Sequence, residues 1–255
     1  MRRLDRKAWA FALVCTLLAM PTSAVAAPSG LADLLAEADR LFARREAMAN
    51  VQQSIDMLEA WLKDAPHEYE ALWRLARAYE WVGRYAAPAD QGELFATAVA
   101  YAERAVEAAP DGVNGRYWYA LTIGRLGETR GILRSLSAAG EMRRELEIVL
   151  ELAPDHAGAH FALGMLYYKL PGWPLSFGDN NRALEYMTAA VELAPDNTTY
   201  RLGLAELLLD MRRRDDAIAL LEAVIEMPLT PDEPVESAED KIKAQELLAR
   251  YRSSR

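Results

Sequence analysis

Cysteine is almost missing from the 255-residue sequence: the single one, Cys15, sits in an apolar run near the N-terminus. One cysteine forms no internal disulfide, and beyond residue 26 there is no thiol for a nucleophile or a thiolate metal site. Val14 stands where a lipid-modified cysteine would need a small neighbour, so lipidation is not expected. Histidine is scarce too, at His67, His156 and His160. His156 and His160 share a helix face beside Asp155, a spacing that suits zinc, but no HExxH surrounds them and no third ligand is evident. A helix start for His156 and a packing position for His160 are the simpler roles. Positive charge is the minority, with 29 Lys and Arg against 38 Asp and Glu and a net charge of -9. A chain without clustered cations is a poor partner for nucleic-acid phosphates. No stretch alternates apolar and polar residues with the period of a strand. No Gly-x-Ser-x-Gly motif is present, and no carboxylate pair is framed by residues that would shift its pKa. Gly124, Gly127 and Gly131 lack the following Lys-Ser/Thr and the preceding strand of a phosphate cradle. Close helix packing or a kink suits them better. These absences argue against an enzyme and against any cofactor or metal.

Long apolar runs are also missing. The longest near the start, Ala8 to Met20, has thirteen residues, fewer than a bilayer span needs. Arg2, Arg3, Arg6 and Lys7 precede it, and Ala24-Val25-Ala26 closes the segment with a small-x-small triplet. That pattern predicts a secretory signal over residues 1–26, cut between Ala26 and Ala27, and hence a periplasmic location; an uncleaved anchor is the alternative. Asp5 occupies a position where a twin-arginine signal needs an apolar residue. Removal of the segment takes four basic residues and one acidic residue, moving the net charge from -9 to about -12. No membrane span is expected in the mature chain.

What the sequence does have is a repeated helical pattern. In TTYRLGLAELLLDMRRRDDAIALLEAVIEMP, Arg201, Leu204, Ala205 and Leu208 fall on one helix face, and Ala217, Leu220, Leu221 and Val224 on another. The basic run Arg212 to Arg214 suits a helix end, and Asp215-Asp216 a helix start. The hairpin is about 34 residues long, the period of a tetratricopeptide repeat. Ala65-Pro66, Ala109-Pro110, Ala153-Pro154 and Ala194-Pro195 each close a helical run. Counted on to Pro228, the prolines are 44, 44, 41 and 33 residues apart. Proline stops each second helix, and Asp111, Asp155 and Asp196 favour the next start.

The fold class is therefore all-α: a solenoid of about five helical hairpins over residues 27–229. An acidic, Pro-rich link and a capping helix follow over 230–255. The hairpins fall at about 31–64, 70–109, 114–153, 157–194 and 198–228. The first has a long link, Arg44 to Gln53. The second carries an insert, Arg84 to Leu94, with Pro88 and Gly92. The fourth carries PGWPLSFGDNN, with Trp173 and Phe177, and Asp179 or Asn180 caps the helix after it.

The marker positions Leu204-Ala205, Leu208, Ala217, Leu221 and Val224 resemble the tetratricopeptide repeat. The order of YEALWRLARAYEWVG, YWYALTIGRLGETRG, LAPDHAGAHFALGMLYYKLPGWP and FGDNNRALEYMTAAVELAPD looks like the T-component family of TRAP transporters. Its core is also similar to the regulator-of-microtubule-dynamics proteins. The first resemblance implies a periplasmic accessory to a solute-binding subunit; the alternative is an envelope assembly scaffold with no small ligand. Oligomerisation stays open. In the repeat family, the position after the first marker and those four and eight further on face the concave groove. Carried over, these are Trp73, Arg77 and Trp81, then Tyr119 and Ile123, then Phe161, Met165 and Lys169 with Tyr168 alongside. An aromatic groove needs a cover. Either the inserts or the C-terminal helix fill it, or it takes a protein partner or a ligand with an apolar body and an anionic group.

Overall fold

The computed structural model describes residues 30–252, apart from the side chains of 132–134. The expected signal segment lies outside the described residues. Eleven helices are present among them: α1 (Leu31–Ala43), α2 (Met48–Asp64), α3 (Tyr69–Tyr85), α4 (Pro88–Ala108), α5 (Val113–Thr129), α6 (Ile132–Leu152), α7 (Ala157–Lys169), α8 (Asn180–Leu193), α9 (Thr198–Asp210), α10 (Arg214–Glu226) and α11 (Pro234–Arg252). Each odd helix from α1 to α9 packs on the even helix after it, giving five hairpins. Helix α11 closes the stack on α9 and α10.

The Ala-Pro endings each build the same turn. The amides of Glu68, Gly112, His156 and Asn197 donate to the carbonyls of Ala65, Ala109, Ala153 and Ala194, at 2.9–3.1 Å. This turn places the helix cap one residue beyond the aspartates expected there. His156 and Asn197 do the capping, accepting from the amides of Ala159 and Tyr200. Asp179 caps α8 by accepting from the amides of Asn181 and Arg182.

Two expected inserts turn out to be helix. The first link shrinks to residues 44–47, because Met48 to Gln53 extend α2. In the second hairpin only Ala86 and Ala87 separate α3 from α4. Pro88 opens α4, where its missing N–H costs nothing. Gly92 continues the same helix, with only Thr129 Oγ1 nearby. The insert of the fourth hairpin is a true loop, with Trp173 90% and Leu175 76% exposed at its tip.

Small residues set the helix crossings. Ala98, Ala102, Ala105, Ala183, Ala190, Ala205 and Ala217 are wholly buried. A β-carbon on Gly164 would stand 2.6 Å from Met187 Cγ, and one on Gly124 would stand 2.5 Å from Met142 Sδ. In the third hairpin Gly124 thus serves close packing, and Gly131 (φ 89°) serves the turn into α6. At the last hairpin Arg212 takes the left-handed turn (φ 61°) that ends α9. Lys241 of α11 reaches back and donates to the carbonyls of Ile225 and Met227 at the end of α10.

Candidate binding groove

The residues after α10 decide what the inner face offers. Residues 230–236 cross from α10 to the first two hairpins, 187–191 positions back in sequence. Arg45, only 3% exposed, is the anchor. Its Nη2 lies 2.7 Å from the Glu236 carboxylate, its Nε donates to both Glu236 oxygens at 3.0 and 3.1 Å, and Nη1 donates to the Asp232 carbonyl. Trp81 Nε1 donates to the same carboxylate at 3.1 Å, and Arg84 approaches it at 3.4 Å. Val235 rests on the apolar cluster of α1 to α3. Tyr85 donates to Glu239 one turn further along α11.

Trp81 therefore lies under cover. Trp73 (8% exposed) and Trp81 (4% exposed) belong to the core. The Arg74 guanidinium stacks on the Trp73 ring at 4.1 Å, and Trp73 Nε1 donates to Glu70. Arg77 lies over the Phe42 ring and donates to Asp39 at 2.7 Å. Its Nε is buried with no hydrogen-bond partner. Burial depresses the Arg77 pKa against the raising effect of Asp39. A cavity of about 430 Å³ remains beneath the crossing segment, among Asp39, Phe42, Arg77, Trp81 and Trp118.

A second opening, also about 430 Å³, is bounded by α5, α6, α7 and α9. Phe161 and Met165 line it as expected, and so does Lys169. The Phe161 ring stacks on Tyr200 at 4.7 Å. Trp118 and Leu121 supply the α5 wall, together with Tyr117. Tyr119 does not: it packs on Phe95 and Ile123 and donates to Glu141 at 2.7 Å. The helical register of α5 is offset by one from the expected one, and YWY gave no means of choosing among its three rings. Tyr168 also points elsewhere, donating to Asp210 beneath the Lys169 ammonium. Of the loop residues, Phe177 packs edge-on to Tyr167 beneath Arg143, and Trp173 touches solvent.

Charge is gathered at the rim of this opening. Glu80 is buried and held by Arg84 at 3.3 Å and Arg125 at 3.0 Å. Burial works against the Arg125 charge, but Glu80 and Glu128 more than offset it and raise its pKa. Burial raises the Glu233 carboxyl, which accepts from Asn197. Burial and Glu233 push the Tyr200 hydroxyl up to about 12. The wall is thus apolar and aromatic, with fixed ion pairs at its edge. His156 and His160 lie outside it: His160 Nε2 is 2.8 Å from the Pro154 carbonyl and His156 is a helix cap. No group of three metal-binding side chains occurs among the described residues.

Residues 34–174 match the family described as Regulator of microtubule dynamics protein 1-3, and residues 175–228 match a tetratricopeptide repeat. Bovine regulator of microtubule dynamics protein 1 is 31% identical over 107 residues, covering 41% of this chain and 34% of that protein. Human regulator of microtubule dynamics protein 2 is 22% identical over 233 residues, covering 85% of this chain and 56% of that protein. The chain thus spans about a third to a half of these relatives' lengths. A tetratricopeptide-repeat protein of Thermus thermophilus superposes with a TM-score of 0.62 at 21% identity, over 85% of this chain and 97% of that one. It shares the fold.

Proposed function

The chain belongs to the Regulator of microtubule dynamics protein 1-3 family, and we propose that it is a protein-interaction scaffold whose partner docks in the opening between α5, α7 and α9. The observation that carries this reading is the apolar wall of Trp118, Leu121, Phe161 and Met165 around about 430 Å³, where Trp81 and Trp73 are already covered. A methionine and several rings offer an adaptable surface to an apolar segment of a partner. The microtubule dynamics in the relatives' name are said of those longer proteins; the shared part is the repeat array.

The finer reading is an exported, periplasmic accessory that engages a transporter's substrate-binding subunit. The basic start, short apolar run and Ala24-Val25-Ala26 support export, and the order of hairpins and the loop at 171–178 support the likeness to the T-component. In this reading residues 27–229 are the repeat domain and 230–255 its closing element.

The test is affinity capture of the partner by the mature chain and by a Phe161→Ala, Met165→Ala variant. Aromatic anchors contribute about 2 kcal/mol or more each, so the variant should bind at least tenfold more weakly with its helicity kept. Undiminished capture by a folded variant rules out this opening as the docking surface.

A further inference from the structure

The structure assigns a second binding site, adjoining the opening above: a carboxylate-reading peptide site formed by Arg45, Trp81 and Arg84, occupied in cis by the chain's own Glu236. Its ligand class is an acidic segment that presents a glutamate directly after an apolar residue, as Val235-Glu236 does in the first turn of α11.

Three observations converge. First, the chemistry is that of a receptor for one carboxylate: a guanidinium fork places three N–H···O contacts on Glu236, and an indole N–H and a second guanidinium complete the set. Second, the receptor half lies deeper than the ligand half. Arg45 and Trp81 are core residues, buried at 3% and 4% exposure. In the segment Thr230 to Glu236 no residue is fully buried, Pro231 and Asp232 are exposed, and Val235 is its one apolar contact with the first hairpins. Third, α11 is attached beyond its first turn, through Ala244 and Leu248 on the last hairpin cluster, so that first turn, which carries Glu236, can unwind and lift without freeing the rest of the helix.

A vacant site is disfavoured, because it would leave the Arg45 charge without its counter-ion. Exchange of one carboxylate for another avoids that cost. The tethered segment competes at an effective concentration on the order of millimolar, so a free ligand meets an occupied site. Weakening the internal ligand should therefore expose the site to an external one.

The probe is a fluorescein-labelled peptide with the sequence of residues 228–239, titrated by anisotropy against the full chain and against its Glu236→Gln variant. The variant should bind the peptide at least tenfold more tightly than the unaltered chain. A second peptide, with glutamine at the position of Glu236, should bind the variant at least tenfold more weakly than the first. The Phe161→Ala, Met165→Ala chain should bind the peptide as the unaltered chain does, which distinguishes this site from the docking opening. Equal binding of the two peptides overturns the assignment. So does global loss of helicity in the Glu236→Gln variant, because the segment would then be core. Hydrogen exchange of the unaltered chain gives an independent reading: the amides of Glu233 and Ser237, which donate to the carbonyls of Thr230 and Glu233, should exchange at least a hundredfold faster than those of α3. Protection equal to that of α3 also overturns it.

Discussion

A β-carbon on Gly178 would sit 1.9 Å from the carbonyl oxygen of Leu170. The backbone comes this close because the loop of the fourth hairpin is sealed at its base, with Gly178 N donating to Pro171 at 3.0 Å and Asp179 N donating to Tyr167 at 2.9 Å. Leu170 ends α7 and Asp179 caps α8, so neither side can yield without disturbing a helix end. Gly178→Ala should therefore lower stability by about 1–3 kcal/mol through overpacking. Gly92 is the contrasting case. It lies inside α4, where an added β-carbon meets only Thr129 Oγ1, at 3.8 Å. Gly92→Ala should raise stability by about 0.5–1 kcal/mol, since alanine loses less freedom in a helix. Urea midpoints of the two variants should move in opposite directions; a shared direction would refute the local geometry.

At the scale of the element, α11 carries a pH dependence. Burial raises the carboxyls of Glu233, just before it, and Asp240, in its second turn. Glu233 faces Asn197, Arg45 and Glu236, and Asp240 accepts from the hydroxyls of Thr198 and Thr199. A raised carboxyl stabilises the fold in its protonated form. Its contribution is fully present below the ordinary value of about 4 and is lost as pH rises through the folded value. Asp39 runs the other way. Burial raises it, but Arg74 and Arg77 outweigh burial and hold it low, so its contribution disappears only as pH falls through that lowered value. Acidification from about pH 7 toward the ordinary carboxylate range should raise the Tm, and Glu233→Gln should shrink that rise. Superimposable Tm profiles for the two proteins would remove Glu233 from the account. The elements themselves were legible from Ala-Pro endings and apolar spacing, because each turn closes through local bonds. The inserts at 44–53 and 84–94 were misread, since Pro88 and Gly92 punctuate a sequence without always breaking a helix. Phe161 and Met165 were legible as groove residues, whereas Trp118 was hidden within a run of three rings. The cover over Trp81 was less legible still. Glu236 meets Arg45 from 191 residues away, and no periodicity encodes such a pair.

For the whole molecule, the Arg45–Glu236 contact changes what a stack of hairpins is. In an open array each hairpin touches only its neighbours, and the two ends are indifferent to one another. Here the first hairpins and the closing helix share one carboxylate, and Glu80, Arg84 and Trp118 border both cavities. The two binding sites are consequently linked equilibria. If an acidic segment replacing Glu236 alters the partner's affinity by some factor, the partner must alter the segment's affinity by that same factor. Titrating each ligand in the presence and absence of the other should return equal factors, and a factor of one in both directions would show that the sites are independent. In thermodynamic terms the closing contact is a coupling free energy, carried by one carboxylate that joins the first hairpins to the last helix.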